Sequence, residues 1–434
     1  MASREQPPVV SPVDRSLVMA AARDRLLWYA AVDSTADRAA AEAGQSPSSE
    51  GQRVLGALLV DELRRLGLAD VTHDQHGVVM ATLPAAGAAP GAPVVGLLAH
   101  LDTSPDAPAA GGRARVIAEF DGTPPFSPDL ASSLSQEIRD EFGACRGHTI
   151  VTTDGSGLLG ADDKCGIAAI VTALDWLILH PDHRRAPIRI AITPDEELGR
   201  GTDHLDLATF GADVAYTLDG GTSGMIEAET FSADGAVVRF SGRSAHPGTA
   251  RGRLASAIRA AGQLIASLPS TLAPETTDGR LGFIHPTEIT GNVESTEVRL
   301  ILRDFDRERL ADHGETLRFL ATAAAAAHPG VTVEVSIAPS YRNTADALRE
   351  RPTVVAAAEE AMRRAGVTVR HGIVRGGTDG SHLTERGLPC PNLFCGEHNL
   401  HSRTEWACLD DLADSVATLV ALAGVWAESP ENRA

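Results

Sequence analysis

Apolar positions along this 434-residue chain fall into two rhythms. Within residues 51–67, Val54, Leu55, Leu58, Leu59, Leu63 and Leu66 recur at helical spacing, and Gly67 supplies the stop. Residues 16–31 predict an earlier helix, and 167–180 an apolar one that Pro181 ends. Residues 78–83 predict a short strand. The runs at 94–99, 188–193 and 214–218 are apolar on both alternating faces, as buried strands are. From Met225 the order changes to strand 236–241, helix 253–268, strands 281–290 and 293–305, an Ala-rich helix 306–328 and strand 331–338. That succession, β-α-β-β-α-β, is a ferredoxin-like split unit. Alternation of helix and strand resumes with helix 353–366, strands 373–375 and 392–395, and a closing helix from 409 to about 426. The expected fold is α/β, a central sheet with helices on both faces, carrying an inserted ferredoxin-like α+β domain.

Composition narrows the function. A net charge of -20 disfavours nucleic acid or an anionic membrane as partner and suits a protein that holds cations. No apolar run approaches a membrane span, and the polar, proline-bearing start has no signal-peptide core. The five cysteines are scattered without a Cys-x-x-Cys pair, which predicts reduced thiols and a cytoplasmic protein. Aromatic residues make up only 4% of the chain, so the core has to come from Ala, Val, Leu and Ile.

The chemistry gathers where strands end. Strand 94–99 runs into His100-Leu101-Asp102, strand 188–193 into Pro194-Asp195-Glu196-Glu197, and strand 214–218 into Asp219-Gly220-Gly221. Between them Asp162-Asp163-Lys164 interrupts a small, apolar run just before a helix. An isolated Asp pair there reads as a helix cap. Ligands of open α/β sheets, however, bind outside the carboxyl ends of strands, and independent surface charges have no reason to collect there. Carboxylates and imidazoles without cysteine suit zinc, with cobalt or manganese as substitutes. Asp162 is the natural bridge between two ions, with His100 and Asp219 on one and Glu197 and a late histidine on the other. His398 and His401 are equal candidates for that histidine. Period-two alternation places Asp102 as acceptor behind His100. Glu196 is the carboxylate left over for proton transfer. Three carboxylates and a bridging hydroxide neutralise two divalent ions, which matters in a cleft. The glycine loop 375–380 lacks the spacing and lysine of a phosphate-binding loop.

Taken together, Ala-His-Leu-Asp-Thr (99–103), Leu-Leu-Gly-Ala-Asp-Asp-Lys (158–164), Thr-Pro-Asp-Glu-Glu-Leu-Gly (193–199), His-Pro-Gly-Thr-Ala-Arg-Gly (246–252), Arg-Asp-Phe-Asp (303–306) and Arg-Gly-Gly-Thr-Asp-Gly (375–380) are a specific set. In order and spacing, from about Gly51 to Leu422, the chain resembles the peptidase T family of tripeptide aminopeptidases. That family lies within the dizinc exopeptidases, which include carboxypeptidase G-like and desuccinylase-like enzymes. The resemblance implies a mixed central sheet, a catalytic domain of residues 1–225 and 342–434, and a lid of residues 226–341; residues 1–16 have no counterpart in the family and are expected to be a mobile tail. It implies two zinc ions per subunit held by His100, Asp162, Glu197, Asp219 and His401, with Glu196 as base, Asp102 behind His100, and a cis peptide after Asp162. It further implies His246 as an oxyanion donor, in cis or from a dimer mate, and substrate contacts at Arg303 and Gly376. For Arg303 the residues alone favour an ion pair with Asp304 or Asp306. The implied reaction is release of the N-terminal residue of short peptides by a zinc-bridging hydroxide, with a homodimer forming through the lid. Other activities of the clan (dipeptidase, carboxypeptidase, N-acyl-amino-acid deacylase) and a silent binding protein on the same scaffold are the alternatives. The loop at 398–405, His-Asn-Leu-His-Ser-Arg-Thr-Glu, departs from the family's Tyr-Asn-x-His-Gly-Lys-His-Glu.

Overall fold

The computed structural model describes residues 13–109 and 113–428. Most of the expected 1–16 tail lies outside them, and its last residues are ordered. Asp14 caps a helix, Arg15–Ala30, by accepting from the Ser16 and Leu17 amides. The chain packs as two compact units. One runs to Ala228 and resumes over Ala347–Gly372 and from Thr378; the other is Glu229–Asp346 with Ile373–Gly377.

The first unit is built on an eight-stranded mixed sheet. At its centre Val95–His100 lies parallel to both Ile188–Thr193 and Val214–Leu218, and Asn392–Leu393 lies parallel to the latter. Val79–Leu83 and Ala69–His73 extend one side antiparallel; on the other, Met225–Thr230 runs antiparallel to Asn392–Leu393 and Arg370–Val374 forms the edge. Met225–Thr230 therefore begins in the main sheet; the start of the inserted domain expected at 226 falls within this strand. The Ala69–His73 strand escaped the sequence reading because it is short and mostly exposed.

Strand parity explains the layers. Leu97, Ala99, Ile188, Ile190, Ile192, Tyr216 and Leu218 face a thick helical layer that includes Arg15–Ala30, Ala161–Leu179 and Leu409–Ala427. The other face is finer-grained: Leu98, Ala191 and Ala215 pack with Phe210 and Leu383 of two short helices. A Cβ on Gly96 would stand 2.8 Å from the Phe210 ring, so only glycine fits that crossing.

A second, four-stranded antiparallel sheet lies in the same unit, in the order Glu397–His398, Trp406–Cys408, Ile150–Thr152, Arg115–Ile117. Nothing in the apolar pattern announces it, since its strands are two or three residues long.

The inserted unit has the β-α-β-β-α-β order that the pattern predicts. Its antiparallel sheet runs Phe283–Gly291, Ser295–Asp304, Ser232–Ser241, Thr332–Tyr341, and the helices Ala257–Ser267 and Arg307–Ala326 pack against it. Val238, Phe240, Leu264, Val298, Leu300 and Leu317 form its core.

Candidate metal centre

The central parallel strands deliver their chemistry at one edge. His100 is the last residue of its strand and is 2% exposed. Thr193 closes the next strand, and Pro194 and Asp195 lead into a single 3-10 turn, Glu196–Leu198. Leu218 is followed by Asp219. Asp162 enters from the opening of the Ala161–Leu179 helix, where its backbone is not helical and the Asp162–Asp163 peptide is cis.

Around Asp162 the side chains divide between its two carboxylate oxygens. On one oxygen, His100 Nε2 stands 2.8 Å from Oδ1 and 3.7 Å from Asp219 Oδ1. On the other, His401 Nε2 stands 3.2 Å from Asp162 Oδ2 and 2.9 Å from Glu197 Oε2. Of the two late histidines, then, His401 joins the cluster. His398 is turned away, stacked on Trp406 and facing Glu141 and Asp411. Glu196 Oε2 lies 3.9 Å from His100 Nε2, on the Asp219 side.

Asp102 holds two parts of the site at once. The His100 Nδ1 atom is 3.0 Å from the Asp102 backbone carbonyl and 3.5 Å from its carboxylate, so the carbonyl is the nearer acceptor. The carboxylate itself accepts from the amides of Glu196 and Glu197, each at 3.0 Å. One buried aspartate thus fixes the imidazole and orients the turn that carries both glutamates.

His100 Nε2, Asp162 Oδ1 and Glu197 Oε1 are buried and make no hydrogen bond, although His100 and Asp162 are close. Buried polar atoms left unpaired cost roughly 1–3 kcal/mol each, more when charged. Atoms that converge without pairing are what a cation between them requires, and an imidazole–carboxylate donor set suits zinc. The residues therefore fit the metal centre expected of them. In their own mutual field, burial works to lower the His100 pKa, but the facing carboxylates of Asp102, Asp162 and Asp219 carry it well above the usual value. Burial and the charge of Asp162 push Glu197 up to about 7 against the pull of His401. Burial also raises Glu196, which His100 opposes and Asp219 and Asp379 reinforce.

Several acids behind the centre were not singled out from the sequence. Asp195 sits at φ 59, a left-handed conformation that few non-glycine residues adopt. Its carboxylate accepts from Ser48 N at 2.9 Å and Gln52 Nε2 at 2.8 Å, tying down the turn before Glu196. Glu405 accepts from the amides of Gly160 and Asp162 at 2.7 and 3.1 Å, and burial with the nearby Asp162 raises it to about 8. Glu397 is 1% exposed with both carboxylate oxygens unpartnered. Burial, Cys395 and the surrounding aspartates raise its pKa well above the usual value. It follows the fourth parallel strand, so the strand-end rule that located His100 and Asp219 would have located Glu397 as well.

His401 is the outlier of the ligand set, 41% exposed where His100 is 3%. It stands in the hairpin between Glu397–His398 and Trp406–Cys408 at φ 57, with Asn399 also left-handed at φ 52. Such conformations cost on the order of 1–3 kcal/mol and persist where the surroundings hold them. Here the loop holds itself: Asn399 Nδ2 donates to Thr404 Oγ1 at 2.6 Å, and the Ser402 and Thr404 hydroxyls pair at 2.8 Å. Ser402 and Thr404 are two of the positions where the loop departs from the family pattern, and their hydroxyls brace the turn.

The other expected site residues belong to the inserted unit. His246 is exposed, and its Nδ1 accepts from the Gly248 amide at 3.1 Å. Arg303 makes neither expected ion pair with Asp304 or Asp306 among the described residues. Its guanidinium lies over the Tyr341 ring, 5.3 Å from the centroid, and donates to the Leu302 carbonyl. A Cβ added at Gly376 would meet only the Val374 side chain, at 4.0 Å.

Residues 146–424 match the model of peptidase family M20/M25/M40. The chain belongs to that family. Peptidase T of Geobacillus thermodenitrificans is 40% identical over 92% of this chain and 96% of its own. Peptidase T of Aeromonas hydrophila is 42% identical over 87% and 92%. Among solved structures, a tripeptidase from Staphylococcus aureus superposes with a TM-score of 0.72 at 21% identity, covering 94% of this chain and 98% of that one. A dinuclear metal-binding M20 peptidase from Bacillus subtilis gives 0.61 at 15%, with 94% and 98% covered. These structures share the fold. Membership points to a metal-dependent peptidase, and no helix among the described residues is long and apolar enough to cross a membrane.

Proposed function

We propose that this family member is a two-zinc aminopeptidase that releases the N-terminal residue of short peptides, tripeptides foremost. Peptidase activity on short peptides follows from the family and from relatives named peptidase T at about 40% identity over nearly the whole chain. One observation carries the mechanism: His100, Asp219, Glu197 and His401 converge on the two oxygens of Asp162, leaving Glu196 beside them unused. When bound there, a pair of divalent ions acidifies water and polarises the scissile carbonyl.

The protein's own groups do the rest. Glu196, held by Asp102 through its amide, takes the proton of the attacking water on its carboxylate and returns it to the leaving amine. Asp102 keeps the Nδ1 proton of His100 in place so that Nε2 faces inward. His246 as oxyanion donor, Arg303 as clamp for the peptide carboxylate, Gly376 as a backbone contact and a homodimer through the inserted unit belong to the same proposal. A cytoplasmic setting is supported by five buried, unpaired cysteines.

A panel of di-, tri- and tetrapeptides with free and blocked termini, resolved by mass spectrometry on the zinc- or cobalt-replete enzyme, tests the reading. Free tripeptides should lose their first residue fastest. Faster cleavage of N-acyl amino acids, of dipeptides or from the carboxyl end would move the chain to another activity of the clan. No hydrolysis at all would make it a binding protein.

A further inference from the structure

We propose a second metal site, independent of the peptidase centre, in which Cys145, His148 and Cys408 hold one zinc ion and a solvent molecule fills the fourth position. Ligand atoms of the three residues, the two sulfurs and an imidazole nitrogen, lie within 4.8 Å of one another. Cys408 Sγ stands 3.4 Å from His148 Nδ1. Zinc bonds of about 2.3 Å to sulfur and about 2.0–2.1 Å to nitrogen, opened to a tetrahedral angle, span about that distance.

The setting favours the ion over three ordinary side chains. Both cysteines are buried in an apolar nest of Phe120, Phe142, Ile150 and Trp406, while His148 is half-buried and leaves an approach for solvent. Thiolate is the form that binds zinc, and binding displaces the thiol protons. Soft sulfur ligands separate this site chemically from the carboxylate-rich peptidase centre.

Its position gives the site a purpose. Cys145 and His148 occupy the turn between the Gln136–Ala144 helix and the Ile150–Thr152 strand, and Cys408 pairs with Ile150 across the small sheet. The neighbouring hairpin of that sheet carries His401. An ion at this corner clips the sheet at the end away from the turn and steadies the loop that presents the most exposed ligand of the peptidase centre.

Cobalt substitution distinguishes the two sites, because only thiolate ligands produce sulfur-to-cobalt charge-transfer absorption in the near ultraviolet. The reduced full-length protein, loaded with Co2+, should show that band, and Cys145→Ser and Cys408→Ser should abolish it. Zinc content by elemental analysis should fall by one ion per chain in the same variants, while the peptidase centre keeps its own. His148→Asn at the half-buried ligand is the check if the serine variants fail to fold: it should leave the fold intact, remove the same zinc equivalent and abolish the band with it. Absence of the band in the wild-type protein, zinc content equal in wild type and variants, or a Cys145–Cys408 disulfide in its place would overturn the proposal.

Discussion

The two large sheets of this protein use alternation in opposite ways. In the main sheet the Val95–His100 strand is buried along its whole length, with helices on both faces. Its side chains are committed to packing, and chemistry is left to the residues just past the strand ends. In the inserted sheet Ser295–Asp304 alternates between buried and more exposed positions, and Thr332–Tyr341 is mostly open, because helices cover one face only. A sheet closed on both faces gathers polar function at an edge; a sheet open on one face can carry it anywhere along a strand. Arg303, the proposed carboxylate clamp, stands beside buried Leu302 on such a strand.

That contrast can be broken in graded steps. Removing metal with a chelator should abolish peptide hydrolysis, and zinc or cobalt should restore it, while the Ser295–Asp304 strand keeps its hydrogen-exchange protection. Loss of protection there would tie the inserted sheet to the ions. Glu196→Ala should lower kcat by about 10²–10⁴-fold with the metal content unchanged, since it removes a proton carrier and no ligand. A near wild-type kcat would assign the proton transfer elsewhere.

Leu300→Ala, in the inserted core at 2% exposure, should destabilise that unit by about 2–5 kcal/mol, read from exchange over its strands, with metal content intact. Asp102→Asn should cost about 10–100-fold in metal affinity or activity, because its carboxylate braces both glutamates from behind. Unchanged metal binding and turnover would reduce Asp102 to a packing residue. Arg303→Ala has the smallest expected effect, a rise in KM of about tenfold for free tripeptides and little change for C-terminally amidated ones. Equal changes for both would discard the carboxylate clamp.

Legibility in the sequence followed the physics of each region. Buried strands are continuous apolar runs, so Ile188–Thr193 and Val214–Leu218 could be bounded to the residue. The ferredoxin-like order could be read because its helices and strands are long. The four-stranded small sheet could not, since strands of two or three residues have no period to detect. The residue pattern left His398 and His401 equal for the same reason, with only the family resemblance naming His401: both sit on that sheet or its turn, and the hairpin decides which one faces Asp162.

Residue order alone determined where the carboxylates and imidazoles would gather, because an apolar run that ends in acids has only one place to put them. It also singled out Glu196 as the carboxylate left over once the ligands are counted. Three-dimensional folding decided what supports them. Asp102 bracing two glutamates, Glu405 reaching Asp162 from 243 residues away, and Cys145 and His148 meeting Cys408 are long-range pairings. No local pattern encodes them, because they exist only when separate strands and turns are brought to one edge and have to satisfy one another's buried polar groups.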